Sequence, residues 1–186
     1  MPSPTETNGY YETYEMEILM KTKLVIQLAF FTALALCLSG LESMLPVLVP
    51  IYGVKLGLAN IVTLMMLTHY KPYQIALVCL CRILLSTLLF GQIISLTYSL
   101  AGGLLCLLVC LVLHRLLSGH YIVLTSILGA LAHNLGQILA AVMLTLSPAV
   151  LGYLPILCIS GILTGLFTGL CTRFIRPYLN RLGTQA

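Results

Sequence analysis

Ile93-Ile-Ser-Leu-Thr-Tyr-Ser-Leu-Ala-Gly-Gly-Leu-Leu-Cys-Leu-Leu-Val-Cys-Leu-Val-Leu113 runs for 21 residues without one charged side chain. A helix of that length reaches about 30 Å, the thickness of a bilayer's hydrocarbon core. In lipid each backbone N–H and C=O must be satisfied within the segment, so a lone apolar run of this size reads as a helix. Working outward, comparable runs lie at about 24–41, 73–90, 121–146 and 149–174, with a shorter one at 55–69. The pattern predicts an all-α, polytopic membrane protein: a bundle of six transmembrane helices, with the second short for a full crossing.

Composition agrees. Apolar residues make up 60% of the 186-residue chain and charged residues 8%, against about 25% charged in soluble domains. Too little polar surface exists to coat a water-soluble globule. The seven cysteines (Cys37, Cys79, Cys81, Cys106, Cys110, Cys158 and Cys171) all fall in apolar runs, which suits small core residues better than a disulfide framework. No P-loop is present, so the chain hydrolyses no ATP by that route.

Three regions follow along the chain. Residues 1–20 are polar, acidic and Tyr-rich, and are expected to form a flexible tail. Met20-Lys-Thr-Lys resembles a second translation start, so the first residue of the native chain is Met1 or Met20. Residues 21–176 form the six-span membrane domain, and 177–186 a C-terminal tail. The basic flank of the first span could serve as a signal peptide, but the later spans favour a retained helix. With the N-terminus in the cytoplasm, Lys21, Lys23, Lys71, Arg115, Arg173, Arg176 and Arg181 are all cytoplasmic. Only Lys55 stays on the other side, and Arg82 lies inside the third span. This asymmetry predicts an inner or plasma membrane protein with both termini inside.

Small residues recur at helical spacing: Ala29, Ala33, Cys37 and Gly40 in the first span, Ser95, Ser99, Gly102, Cys106 and Cys110 in the fourth, Gly161, Gly165 and Gly169 in the sixth. Such stripes let helix backbones approach closely in lipid. For the fourth and sixth spans they read as internal packing. For the first, a face for a partner is a second reading.

The costly residues are polar ones at mid-span. Arg82 lies about nine residues into the third span, with Ser86 one turn on. An ionised side chain at the bilayer centre costs at least about 2.5–3.5 kcal/mol. Arg82 either bonds helix carbonyls, pairs with Glu42, or holds an anion that fits its planar fork of donors. In the fifth span, His133 and Gln137 share a face with Ser126 and Ala130, and Asn134 lies about 100° away. His133 has no second His or Cys at ligand spacing, so no metal is expected. At the entrance to the second span, Gly57 and Ala59 allow close approach, Lys55 adds charge, and Asn60 adds a donor and an acceptor. Lys55 could equally snorkel to the interface. Glu42, Lys55, Asn60, Arg82, Ser86, His133, Asn134 and Gln137 are therefore the expected lining of one pocket opening to the outer face. Its ligand is expected to be a small anionic metabolite. Neither a cofactor nor nucleic acid is expected, and surrounding lipid is the other partner.

Gly53-Val-Lys-Leu-Gly-Leu-Ala-Asn60, with Leu41-Glu-Ser-Met-Leu-Pro46 before it and Ala132-His-Asn-Leu-Gly-Gln137 after it, resembles the bacterial Gx transporter family, also described as heptaprenyl diphosphate synthase component I. The resemblance covers about residues 22–176. That family is similar to the substrate-binding S components of energy-coupling factor (ECF) importers. The resemblance implies six helices, an outward pocket, and docking through an Ala-xxx-Ala face onto a membrane T component driven by two ATPases. Ala29 and Ala33 match that face. A catalytic role is not expected: prenyl synthases hold magnesium and diphosphate with aspartate-rich motifs, and this chain has no aspartate. The expected function is substrate capture for an ECF-type importer; the alternative is a non-catalytic membrane accessory of polyprenyl diphosphate synthesis.

Overall fold

The computed structural model describes residues 4–44, 57–90, 93–117 and 121–181. Six α-helices follow in order: α1 (Pro4–Met44), α2 (Asn60–Met66), α3 (Pro72–Phe90), α4 (Ile93–Leu116), α5 (Ile122–Thr145) and α6 (Leu154–Arg181). A 3-10 helix, Pro148–Tyr153, leads into α6. The described residues contain no strand. Five segments are long and apolar enough to cross a membrane: Glu15–Met44, Pro72–Phe90, Ile94–Leu116, Ile122–Thr145 and Pro148–Leu179. The chain is a membrane-inserted helical protein.

Three expectations change. The second span was expected over 55–69, but its helix is only seven residues long, about 10 Å against a core of about 30 Å. Gly57 sits at φ +86°, a left-handed conformation outside any helix, so α2 cannot begin before it. Beyond Met66 the chain turns through 67–70 and restarts at Pro72. The second difference is at the N-terminus. Helix α1 begins at Pro4 and runs without a break through the residues expected to be a tail. Proline suits the first turn of a helix, where its missing N–H has no partner to lose. Lys21 Nζ and Glu17 Oε1 add an exposed pair one turn apart at 2.7 Å. At the other end α6 carries Pro177 and continues to Arg181, into the expected C-terminal tail.

Contacts fix the direction of each pass. Glu42 near the end of α1 accepts a bond from the Gly57 N–H, while Tyr70 Oη donates to Gln27 Oε1 at 3.1 Å. The 57–70 segment therefore runs back along α1. Gly40 meets the Phe90 ring, so α3 runs parallel to α1. Gly129 lies against Cys110 and Gly136 against Ala101, which makes α4 and α5 antiparallel. Gly161 lies against Asn134 and Gly169 against Val123, which makes α5 and α6 antiparallel. Leu24 of α1 and Leu179 of α6 pack on the same core cluster. Lys71, Arg115 and Arg173 thus gather at the end of the bundle where Gln27 lies.

Packing divides into two kinds. Phe31, Ala35, Val62, Met66, Ile75, Val78, Ile83, Cys106 and Cys110 form one buried cluster joining α1 to α4, with Phe31 edge-on to Tyr70 at 5.4 Å. Helices α4, α5 and α6 instead meet through glycine. A Cβ on Gly136 would lie 2.6 Å from the Ala101 carbonyl oxygen, and one on Gly165 would lie 2.6 Å from the Ile127 Cα. Ser126 and Thr168 exchange a hydroxyl bond of 2.8 Å across the α5–α6 seam. The small stripes expected in the fourth and sixth spans are used for this packing. On α1, Ala29, Ala33 and Cys37 are exposed, and Gly40 is buried.

Candidate ligand-binding site

Glycines at three places let polar side chains from four segments meet. At the entrance to α2, a Cβ on Gly57 would lie 2.8 Å from Asn60 Nδ2 and 3.2 Å from the His133 ring. On α4, a Cβ on Gly102 would lie 2.8 Å from the His133 carbonyl oxygen and 2.9 Å from Gln137 Cγ. One on Gly103 would lie 2.7 Å from Ile83 and 3.8 Å from Arg82 Nη2. Larger residues at these points would push α5 and α3 away from α4 and from the α2 entrance.

At this junction Arg82 of α3 donates from Nη2 to Asn60 Oδ1 at 3.4 Å, with Cys79 Sγ at 3.9 Å. Among the described residues Arg82 meets Asn60 rather than Glu42. Glu42 accepts from the Gly57 backbone instead, fixing the loop that carries Asn60. On α5, Gln137 Nε2 lies 3.1 Å from His133 Nε2. Burial is deep: Arg82 is 7% exposed, Asn60 7% and Gln137 0%.

Hydrogen-bonding capacity is left over. Arg82 Nε, Asn60 Nδ2 and Gln137 Oε1 are buried without a partner among the described residues. An unmade bond on such a group costs about 1–3 kcal/mol, more when it is charged. Two spare donors, one on a guanidinium, suit a carboxylate or phosphate oxygen. The spare acceptor suits a hydroxyl or protonated oxygen on the same ligand.

The expected set of site residues therefore divides. Glu42, Asn60, Arg82, His133 and Gln137 come together around Gly57, Gly102 and Gly103. Asn134 does not join them. It turns to α6, where Nδ2 donates to the Leu157 carbonyl at 2.7 Å. Ser86 is buried, but its hydroxyl bonds the Ile83 carbonyl of its own helix at 3.2 Å. Lys55 lies outside the described residues. Gly103 was not singled out as a site position. The Gly102-Gly103 pair in an otherwise bulky run was the available signal, because two adjacent glycines free two faces of a helix at once.

The family model for heptaprenyl diphosphate synthase component I matches residues 31–175. The chain belongs to that family. The match spans well over half the chain and covers α3, α4, α5 and every site residue named above. It agrees with the resemblance carried by the three quoted strings. Neither the curated proteins nor the solved structures contain a match to this component I chain. Component I is the non-catalytic part of its synthase, and the sequence explains why in chemical terms. With no aspartate in the chain, and Glu42 its only acid beyond the first 17 residues, it cannot build a carboxylate cage for the magnesium of a diphosphate substrate.

Proposed function

We propose that the protein is a membrane-embedded, non-catalytic accessory of polyprenyl diphosphate synthesis that binds a small anionic ligand between α2, α3, α4 and α5. One observation carries the proposal: a buried arginine with an unused Nε–H beside the spare donor of Asn60 and the spare acceptor of Gln137. A charge kept inside a membrane domain in this state calls for a ligand. Arg82 and Asn60 would grip the anionic oxygens. Gln137 and His133 would orient a protonated or hydroxyl oxygen. Glu42 would hold the Gly57 turn in place, and Lys55 would add positive charge that attracts the ligand. Family membership favours an isoprenoid diphosphate as the ligand and a catalytic synthase subunit as the protein partner.

A second reading, capture of an anionic metabolite for an ECF-type importer, is favoured by exposed Ala29 and Ala33 on α1. These leave a flat strip against which another membrane helix could lie, such as that of a T component with its two ATPases. In either reading the chain makes six alternating passes with the 57–70 segment as the second. The basic end of the bundle, with both termini, faces the cytoplasm.

Affinity purification from native membranes separates the two. Recovery of a prenyl synthase subunit supports the first reading, and recovery of a T component with ATPases supports the second. Titration of farnesyl diphosphate into the detergent-purified chain tests the site itself. If Arg82→Ala binds it as tightly as the parent chain, the anion site is wrong.

A further inference from the structure

One end of the bundle carries positive charge that its neighbours leave unanswered. Lys23 of α1, Lys71 just before α3, Arg115 in the last turn of α4 and Arg173 of α6 lie there, and all four are exposed. None of the four side chains has a hydrogen-bond or ion-pair partner among the described residues. Of the acids nearest this end, Glu17 is held by Lys21 at 2.7 Å, and Glu15 lies about 12 Å along the α1 axis from Lys23. The opposite end has no lysine or arginine among the described residues.

Each cation ends a strip of apolar side chains exposed on the outside of the bundle. Arg115 continues the strip of Leu104, Leu108 and Val112 on α4. Arg173 continues that of Leu163, Leu166 and Leu170 on α6. Lys71 and Lys23 stand in the same relation to Leu77 and Leu80 of α3 and to Ile26 and Phe30 of α1. Steps of three and four residues keep each strip on one helix face. The strips on α4 and α6 run for about 15 Å, half of a hydrocarbon core of about 30 Å. Each therefore covers the depth of one leaflet and stops at a positive charge.

We propose that this belt binds anionic phospholipids of the adjoining leaflet, with the lipid phosphate on the cations and the acyl chains along the strips. The two halves of the surface select the occupant together. Guanidinium and ammonium groups donate well to phosphate oxygens, and long basic side chains at the end of a span reach the headgroup level. A zwitterionic lipid brings its own ammonium beside the phosphate, which competes with the protein's cations. An anionic lipid brings none, and each lysine or arginine near the surface adds to its attraction. A soluble anion or an acidic protein would use the charge alone and leave the strips outside the contact. Arg82 lies about 16 Å further along α3 than Lys71, so the belt is separate from the anion site.

Native mass spectrometry of the full chain, released from nanodiscs of equal dioleoyl phosphatidylglycerol and dioleoyl phosphatidylcholine, tests this. The parent chain should retain phosphatidylglycerol in about fivefold excess or more. Arg115→Gln combined with Arg173→Gln should lower the excess to about twofold, and adding Lys23→Gln and Lys71→Gln should bring it to parity. Both variants should still elute as a single peak in size-exclusion chromatography. The parent chain itself should lose most of the excess in about 0.5 M sodium chloride, because salt screens exposed charges. Millimolar inorganic phosphate should displace no lipid. Equal retention of the two lipids by the parent chain would leave the belt to an acidic protein and overturn the proposal. An undiminished excess in the fourfold variant or in high salt would overturn it too. Displacement by inorganic phosphate would make this a site for a free anion and sink the assignment to lipid.

Discussion

Two faces of α5 differ more than their sequence spacing suggests. His133 and Asn134 are adjacent, both are buried, and both would cost free energy in lipid. The His133 face meets α4 at Gly102 and holds Gln137, opposite Arg82 and Asn60. Its polar groups are only partly used. The Asn134 face meets the glycines of α6, and there most polar groups have partners: Asn134 Nδ2 with Leu157, Ser126 with Thr168. One seam spends polar groups on holding helices together. The other keeps capacity in reserve at a point where four segments converge. Reserve capacity, more than polarity, distinguishes a site from a joint in a membrane protein.

The sharpest way to break this comparison is to obstruct the packed seam. Gly165→Val would place a branched side chain where the Ile127 Cα lies 2.6 Å from the Cβ position. It should cost about 3 kcal/mol, the upper end of the usual overpacking range, and abolish a monodisperse peak in size-exclusion chromatography. A normal elution profile would mean that α5 and α6 are not held by backbone contact.

The reserve seam should answer differently. Arg82→Met keeps the apolar volume and removes the charge, so the fold should persist. Binding of farnesyl diphosphate should weaken by about 2 kcal/mol or more, roughly thirty-fold in Kd, as read by calorimetric titration. Gln137→Leu should weaken it less, by about 1 kcal/mol or roughly fivefold, since one neutral hydrogen bond is lost. Equal losses for the two variants would remove Arg82 as the main anchor.

Smaller effects should return on the packed seam. Ser126→Ala removes one interhelical hydroxyl bond, worth about 0.6 kcal/mol on average in membranes. Titrated unfolding from mixed micelles should show a shift of that order with ligand affinity unchanged. A change in affinity instead would show that the two faces are coupled through α5.

Much of this was legible from residues alone. The runs at 73–90, 93–113 and 121–146 match α3, α4 and α5 within a few positions, because apolar transfer energy adds residue by residue along a segment. The glycine stripe of α6 was readable for the same reason: Gly161, Gly165 and Gly169 repeat every four residues, the spacing of one helix face. The segment at 55–69 was harder. Its apolar composition suggested a helix from Lys55, while the positive φ of Gly57 delays the helix to Asn60. A backbone conformation of that kind leaves no mark on hydropathy.

The sequence by itself determined the solvent, the long apolar helices and the cost of each polar residue, since those depend on local composition and period. Tertiary structure alone decided which polar residues meet. Asn134 was grouped with His133 because both are polar and lie at one depth, yet the 100° turn between them sends it to a different neighbour. Arg82 found Asn60, 22 positions away, rather than Glu42. The physical reason is that a hydrogen bond operates over about 3 Å. Only the packing of distant segments, set here by Gly57, Gly102 and Gly103, brings groups within that reach.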